Sequence, residues 1–260
     1  MPKPKKQSEY IIDDMVFDHD SWNYAPPKLP KASALKLGDI HGVLPFDGVR
    51  NPSSRSSVSH KIFLPYRTAA NEWKLKVGIA ESEPEAGTAL QILISPKTFD
   101  LHFQPLQVKF KGPNGENRTH TFDLMVTFRS GYRRLIYVRN GHSLSKTATQ
   151  RELDAIKMAL PKKVANDMIV VNGDDFSRQR CRNLALMHYF IFNPDDEADE
   201  HLLDVVRSGR SFYFMKDLFA LAQMPQKRMF AACHRLVAKG YLKANLDNLL
   251  WENSRVKAAA

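Results

Sequence analysis

Four side chains fall at positions where they could support metal-dependent hydrolysis of a phosphodiester. Asp123 lies in the first of two strands predicted between His120 and Asn140, and Tyr137 and Arg139 close the second. Glu85 opens a helix that precedes both strands. Carboxylates are the ligands that Mg²⁺ prefers, and a bound metal lowers the pKa of a coordinated water. A nearby cation can then hold the phosphate.

The strand pattern predicts where these side chains point. Asp123 alternates with apolar neighbours and should leave the face that they form: Phe122, Leu124 and Val126. Tyr137 and Arg139 share one face of the next strand, from which they could approach Asp123. Glu81 and Glu83 compete with Glu85 for the role of helix acid, and spacing does not separate the three.

The elements around this segment predict a mixed α/β fold. A helix begins near Pro84, which suits a first helical turn. Two strands are expected to meet across the Gly/Asn turn at 112–117, and a third covers 133–140. An amphipathic helix over 148–160 and a short buried strand over 168–173 follow. The order is helix, three strands, helix, strand.

The pattern becomes helical near Ser177. Two helices flank the turn at Met224-Pro225, and the segment 241–251 is predicted to form a two-stranded wing. We therefore expect three parts: a poorly structured basic arm over 1–45, an α/β domain over 46–176 and an α-rich winged-helix domain over 177–260.

The charge balance favours a polyanionic partner. The 260 residues contain 38 Lys+Arg against 28 Asp+Glu, a formal net charge of +10. Residues 101–140 carry seven cations against two acids, as a DNA-facing surface requires. The predicted nucleic-acid-binding side chains are Lys109, Lys111, Arg129, Arg133 and Arg134, with Gln226, Lys227 and Arg228 at the start of the expected recognition helix.

Cysteine content and hydropathy predict a cytoplasmic chain. The two cysteines, Cys181 and Cys233, make neither a disulfide framework nor a zinc cluster. The basic N-terminus is not followed by an apolar run, and the longest apolar run is too short for a bilayer. His102 and His120 flank the predicted hairpin without the spacing of a zinc site, and we expect no role for them.

An ordered set of motifs resembles the TnsA-like endonucleases of heteromeric transposons. The set consists of Glu85, the apolar helix ALQILIS, Gln104-Pro105, Phe122-Asp123 and Tyr137-Val138-Arg139. The resemblance implies a restriction-endonuclease-like domain of the PD-(D/E)xK type followed by a winged helix. It assigns Glu85, Asp123 and Tyr137 to a Mg²⁺ site, in which Mn²⁺ would substitute, and gives Arg139 a catalytic role.

Two positions depart from that family's pattern in ways that matter chemically. Tyr137 stands where the family has Gln or Glu, and a protonated phenol is a poor Mg²⁺ ligand. Arg139 stands in place of lysine, and a guanidinium binds phosphate but does not act as a base. Lys146 lies just downstream and could replace the missing amine.

The resemblance implies an enzyme that cuts one strand of double-stranded DNA at transposon ends. A partner transposase would cut the other strand, and an AAA+ ATPase regulator would contact the C-terminal part. One alternative is a nuclease-fold protein that only binds DNA and assembles partners. Another is a winged-helix transcription regulator with an unrelated N-terminal domain. The nuclease and the scaffold both require Glu85 and Asp123 to lie within reach of one metal ion. In the transcription regulator the two acids would lie apart.

Overall fold

The computed structural model describes residues 39–52, 61–112, 115–161 and 163–259, which belong to one compact unit. Most of the predicted arm, 1–45, lies outside the described residues. Its last part does form a strand, contrary to expectation. The strands are β1 (Val43–Leu44), β2 (Ile62–Tyr66), β3 (Leu75–Ala80), β4 (Thr98–Phe103), β5 (Gln107–Lys111), β6 (Asn117–Thr121), β7 (Leu124–Phe128), β8 (Arg133–Arg139), β9 (Asp167–Asn172), β10 (Leu242–Ala244) and β11 (Val256–Ala258). The helices are α1 (Glu83–Leu93), α2 (Gly141–Leu144), α3 (Thr147–Ala159), α4 (Arg178–Ile191), α5 (Asp196–Arg207), α6 (Met215–Ala222) and α7 (Gln226–Ala238).

The central sheet has the order β4-β7-β8-β9, which confirms the predicted mixed α/β architecture. β4, β7 and β8 are antiparallel, whereas β9 lies parallel to β8 after the crossover through α3. A second sheet, β1-β3-β2, contributes to the same core as α1, and β5 and β6 form a separate hairpin. The order of α1, β4, β7, β8, α3 and β9 is thus helix, three strands, helix, strand.

The strand pairing corrects the expected hairpin. The Gly/Asn turn joins β5 to β6, and β7 pairs instead with β4, which the sequence pattern did not separate from β5. Gln104 ends β4 because its φ of 50° lies in the left-handed region, which a non-glycine residue adopts rarely. Pro105 follows and has no N–H to donate to a ladder.

β8 separates two apolar layers. Ile136 and Val138 join the core that α1 covers, whereas Leu135 and Tyr137 join the layer between the sheet and α3. This alternation confirms the faces predicted for β8. The same rule fails at Phe122, which lies in the α3 layer although Leu124 lies in the α1 core. The chain therefore changes faces between these two residues, at Asp123.

A charge network around the buried Lys76 links β3 to β4. Lys76 is 3% exposed and donates to Asp47 at 2.6 Å. His102 contacts Asp100 at 2.8 Å and Asp47 at 3.5 Å. Hydrogen bonds donated to Asp100 and Asp47 raise the pKa of His102 to about 9, so that the imidazole is charged at neutral pH. Pairing offsets the desolvation of all these groups.

The C-terminal helices have their own apolar core. α5, α6 and α7 pack around Leu202, Leu218 and Leu236. α4 contacts both parts of the chain, because Leu184 lies in the α1 core whereas the Asn183 amide donates to the carbonyl of Leu246 at 2.7 Å. The boundary at 176/177 therefore falls just before a helix that serves both parts, and it remains a prediction.

The strand pairing at the C-terminal end differs from the predicted one. β10 pairs with β11, whose residues lie beyond the predicted range 241–251. The intervening segment instead holds Asn183 and provides Leu250 to the interior. The burial of Leu250 is a tertiary contact that local alternation does not encode. None of the described helices is long and apolar enough to span a bilayer.

We predict that Gly87→Ala destabilises the fold. An added Cβ would lie 2.7 Å from Cys181 Sγ and 2.8 Å from Phe176 Cδ1, where α4 meets α1. Alanine normally stabilises a helix interior by about 0.5–1 kcal/mol, but overpacking here should cost about 1–2 kcal/mol. Urea unfolding measures the difference, with the exposed Gln91→Ala as control. In a Cys181→Ala background the loss should shrink; an unchanged loss would contradict this contact.

Candidate functional site

Asp123 lies at the junction between two strand pairings. It occupies a bend just before β7 and not a strand interior as predicted. Its N–H donates to Ile136 O at 3.2 Å, and its carbonyl accepts from Gln104 N at 2.9 Å. The carboxylate Oδ2 accepts the N–H of Val138 at 2.8 Å. These bonds hold a side chain that is only 8% exposed.

Glu85 lies in the first turn of α1 and caps the helix. Ser82 is the N-cap residue, and its hydroxyl donates to Glu85 Oε1 at 3.0 Å. Glu85 Oε2 accepts the N–H of Glu81 at 2.8 Å. This arrangement is a capping box shifted by one residue, and it gives Glu85 a structural role as well as a fixed position.

The two carboxyl groups repel one another. Burial and then the charge of Glu85 raise the pKa of Asp123 to about 8. Burial also raises the pKa of Glu85, with a further contribution from Glu81. The charge of Glu85 therefore acts on Asp123, and a shared site for the two acids stays a prediction. A carboxyl group whose pKa is raised by burial and by a nearby acid is a candidate functional group.

Arg50 and Lys61, to which the sequence analysis assigned no role, lie beside Glu81 just before α1. The Lys61 ammonium donates to Glu81 Oε1 at 2.8 Å, and Arg50 pairs with the same carboxylate. Arg50 also donates to Gln104 Oε1 at 3.2 Å. Lys61 comes just before β2. Strand β2 pairs with β3 in a register that places Ile62 opposite Ala80. That register brings Lys61 beside Glu81.

Tyr137 and Arg139 lie at the end of β8, close enough to Asp123 for electrostatic interaction. The Arg139 guanidinium lies 5.0 Å from the centroid of the Tyr137 ring. Burial, with the charge of Asp123 and Glu152, raises the pKa of Tyr137 to about 12. The phenol is therefore protonated at neutral pH, which argues against its oxygen as a metal ligand. The positive charge of Arg139 lowers the pKa of Asp123.

His120 lies at this site, although the sequence analysis expected no role for it. Its ring centroid is 4.2 Å from that of Tyr137. Burial and the charges of Arg139 and Arg50 lower the pKa of His120 to about 4, so the ring is neutral at pH 7. Its Nε2 is buried and has no hydrogen-bond partner among the described residues. Lys146 is exposed at the N-cap of α3.

The predicted DNA-facing cations do not all surround the site. Lys109 and Lys111 are exposed on β5. Arg133 and Arg134 begin β8, whereas Arg139 ends it, a separation of about 20 Å for six strand residues. Arg129 follows β7 at the same distant end. Arg129, Arg133 and Arg134 lie next to the turn that joins β7 to β8. They are therefore at the opposite end of the sheet from Asp123.

Two of the three predicted DNA-binding side chains at the start of α7 are bonded to acidic side chains. Arg228 donates to Asp195 at 2.7 Å and to Glu197 at 2.6 Å. Gln226 donates to Glu252 at 2.9 Å. Lys227 is exposed. A recognition helix that reads DNA needs free donors at its N-terminal end, so these pairings reduce what the predicted residues Gln226 and Arg228 could offer.

The donor set fits a single hard cation. Glu85 and Asp123 supply two oxygen donors, and a divalent ion would relieve their repulsion. Within the described parts of the chain, no group of three or more His, Cys, Asp or Glu side chains could hold a metal. Mg²⁺ commonly binds through one or two carboxylates and keeps several waters, so two donors suffice for weak binding.

Comparison with known proteins adds no assignment. No protein-family model matches the chain, and the search of curated proteins also found no match.

We predict that Asp123→Asn stabilises the protein above pH 4. The native pKa of about 8 exceeds the unfolded value of 3.8, so the folded chain holds a proton that the unfolded chain releases. Stability is therefore lost as pH rises from about 4 to 8, and asparagine removes this loss. Urea unfolding at pH 8 should show a gain of several kcal/mol that disappears near pH 4. Asp154→Asn, on the exposed side of α3, is the control. A variant less stable than wild type at pH 8 would contradict the pKa assignment.

Proposed function

We propose that the chain is a metal-dependent DNA endonuclease of the TnsA-like type. The proposal rests on Asp123, a buried acid whose pKa is raised first by burial and then by the charge of Glu85, which is far from it in sequence. A regulator with an unrelated N-terminal domain gives no reason for this interaction. The order of α1, β4, β7, β8, α3 and β9 adds support, since a restriction-endonuclease-like core has the same order.

In this proposal Glu85 and Asp123 hold Mg²⁺ or Mn²⁺, which when bound polarises a phosphate oxygen and lowers the pKa of a coordinated water. The N–H of Val138 fixes Asp123, and the capping box fixes Glu85. During hydrolysis the water oxygen bonds to phosphorus, one ester P–O bond breaks, and the leaving oxygen takes up a proton.

Two cations of the chain would act on the phosphate. Arg139 is exposed beside the site and can bind phosphate oxygens through two N–H groups at once. Lys61 supplies an amine that Arg139 lacks, and its charge acts on Glu85. We therefore propose that Lys61, which comes from the start of β2, compensates for the arginine in β8. Tyr137 would position Arg139 through its ring.

By the resemblance, the substrate is double-stranded DNA at transposon ends. A partner transposase would cut the second strand, and an AAA+ regulator would contact the C-terminal part. The exposed Lys109 and Lys111 add positive charge that suits a DNA substrate.

A second candidate is a DNA- and partner-binding scaffold with the same fold. The observation that favours it is that Glu81 forms ion pairs with both Arg50 and Lys61. A third carboxylate is therefore not free to complete the metal site.

We expect four variants to separate these candidates in a plasmid nicking assay with Mg²⁺ or Mn²⁺ and the partner transposase. Asp123→Ala should abolish nicking while DNA binding persists. Lys61→Met should lower the rate by roughly 10²-fold, as loss of a proton-transferring or phosphate-binding group does. Arg139→Lys should leave the rate unchanged or raise it, and Tyr137→Gln with Arg139→Lys should raise it further.

Lys74→Met, which removes an exposed lysine elsewhere, is the matched control and should not change the rate. If wild type nicks nothing and the double variant restores nothing, the scaffold is the better account. A Lys61→Met enzyme of full activity would remove lysine from the mechanism while leaving the role of Asp123 standing.

A further inference from the structure

An uncompensated basic face lies on the C-terminal ribbon, defined as β10 and β11. Lys243 and Lys257 face each other directly in the ribbon's ladder. Like charges in this position destabilise a strand pair. Both lysines are exposed, and neither forms an ion pair with a carboxylate of the described residues. The ribbon thus tolerates a repulsion that a bound polyanion would relieve.

Two more side chains extend this face. Arg255 comes just before β11 and pairs with Phe214 through an isolated bridge, which adds Tyr213 to the edge of the ribbon. The N–H of Val256 donates to Tyr213 O at 3.0 Å, so the backbone at Tyr213 is fixed. The tyrosine side chain is nevertheless 73% exposed. We call the set Tyr213, Lys243, Arg255 and Lys257 the basic face.

These residues line one shallow hollow of about 430 Å³. Leu242 and Val256 alternate with the cations and are buried in the C-terminal core, so the ribbon directs all its charge outward. Three cations around an exposed aromatic ring suit a nucleic-acid backbone, because the cations neutralise phosphates and the ring packs on a sugar or base.

The acids in this part of the chain have other partners. The Asp217 carboxylate accepts the N–H groups of Tyr213 and Phe214. Glu252 accepts from Gln226, and Asp247 accepts from Ser177 at 2.8 Å. None of the three forms an ion pair with the cations of the basic face. The positive charge there is therefore available to a ligand.

The start of α7 offers much less. Arg228 is held by Asp195 and Glu197, and freeing it for a phosphate would break both contacts. The cations of the ribbon could bind a phosphate without first breaking an ion pair to a described carboxylate. This contrast reverses the expectation that the helix carries the nucleic-acid contacts of the C-terminal part.

We propose that the basic face of the C-terminal ribbon binds the sugar–phosphate backbone of DNA, while the start of α7 contributes little. The inference adds a contact surface to the proposed function. It concerns binding alone, so it holds whether or not the chain cuts DNA.

The test is fluorescence anisotropy of the full chain with a labelled duplex, without divalent metal, over a series of salt concentrations. The triple variant K243A/R255A/K257A should reduce the slope of log K against log salt by about 2 to 3, because each lost phosphate contact removes about 0.9. A charge-matched triple variant, K74A/K97A/K157A, removes exposed lysines elsewhere. Lys227→Ala and Arg228→Ala report on α7.

The proposal expects little change of slope for the charge-matched variant and for both α7 variants. Tyr213→Ala should weaken binding about 5- to 100-fold without changing the slope, and Tyr213→Phe should restore it. Circular dichroism and thermal unfolding check that each variant is folded. An unchanged slope for the ribbon triple variant overturns the proposal and leaves the face for an acidic protein. An equal loss for the charge-matched variant also overturns it, since binding would then follow net charge.

Because no metal is present, a failure here is distinct from a failure of nicking. A protein that nicks DNA yet shows an unchanged slope in the ribbon variant keeps the nuclease proposal and loses this one. A protein that never nicks but shows the expected slopes does the reverse.

Discussion

The site depends on the repulsion between two carboxyl groups held at one end of a sheet. Asp123 is fixed by three backbone hydrogen bonds, and Glu85 by the cap of α1. Neither group can move away without breaking these contacts, so the fold retains an arrangement that costs stability at neutral pH. Under the proposed function, a divalent cation bound by both acids would relieve this cost.

Irregular features of the fold place the two acids. The left-handed Gln104 ends β4 next to Asp123, and the chain crosses from one face of the sheet to the other at Asp123. In a regular strand, Phe122 and Leu124 would share one face and Asp123 would point to the other. Close packing of α4 on Gly87 holds α1, and hence Glu85, against the sheet. Arg50 and Lys61 pair with Glu81, whose charge also raises the pKa of Glu85 and of Asp123.

Local signals predicted the elements that local interactions determine. Pro84 and its acidic neighbours indicated the start of α1, and alternation indicated the two faces of β8. The sequence could not show that β7 pairs with β4 instead of β5, since both candidates alternate. Lys61 reaches the site only through the register of β2 on β3, which is a long-range contact. The roles of Tyr137 and Arg139 remain predictions, because their geometry fits both a slow nuclease and a scaffold.

The central claim is that Glu85 and Asp123 share one divalent cation, and a crystal soaked in Mn²⁺ tests it directly. An anomalous difference map should show one peak between the two carboxylates, about 2.0–2.3 Å from an oxygen of each, with waters completing the shell. A matched soak of Asp123→Asn should show none. A wild-type crystal with no peak there at millimolar Mn²⁺, or with the peak at another group of residues, would contradict the account.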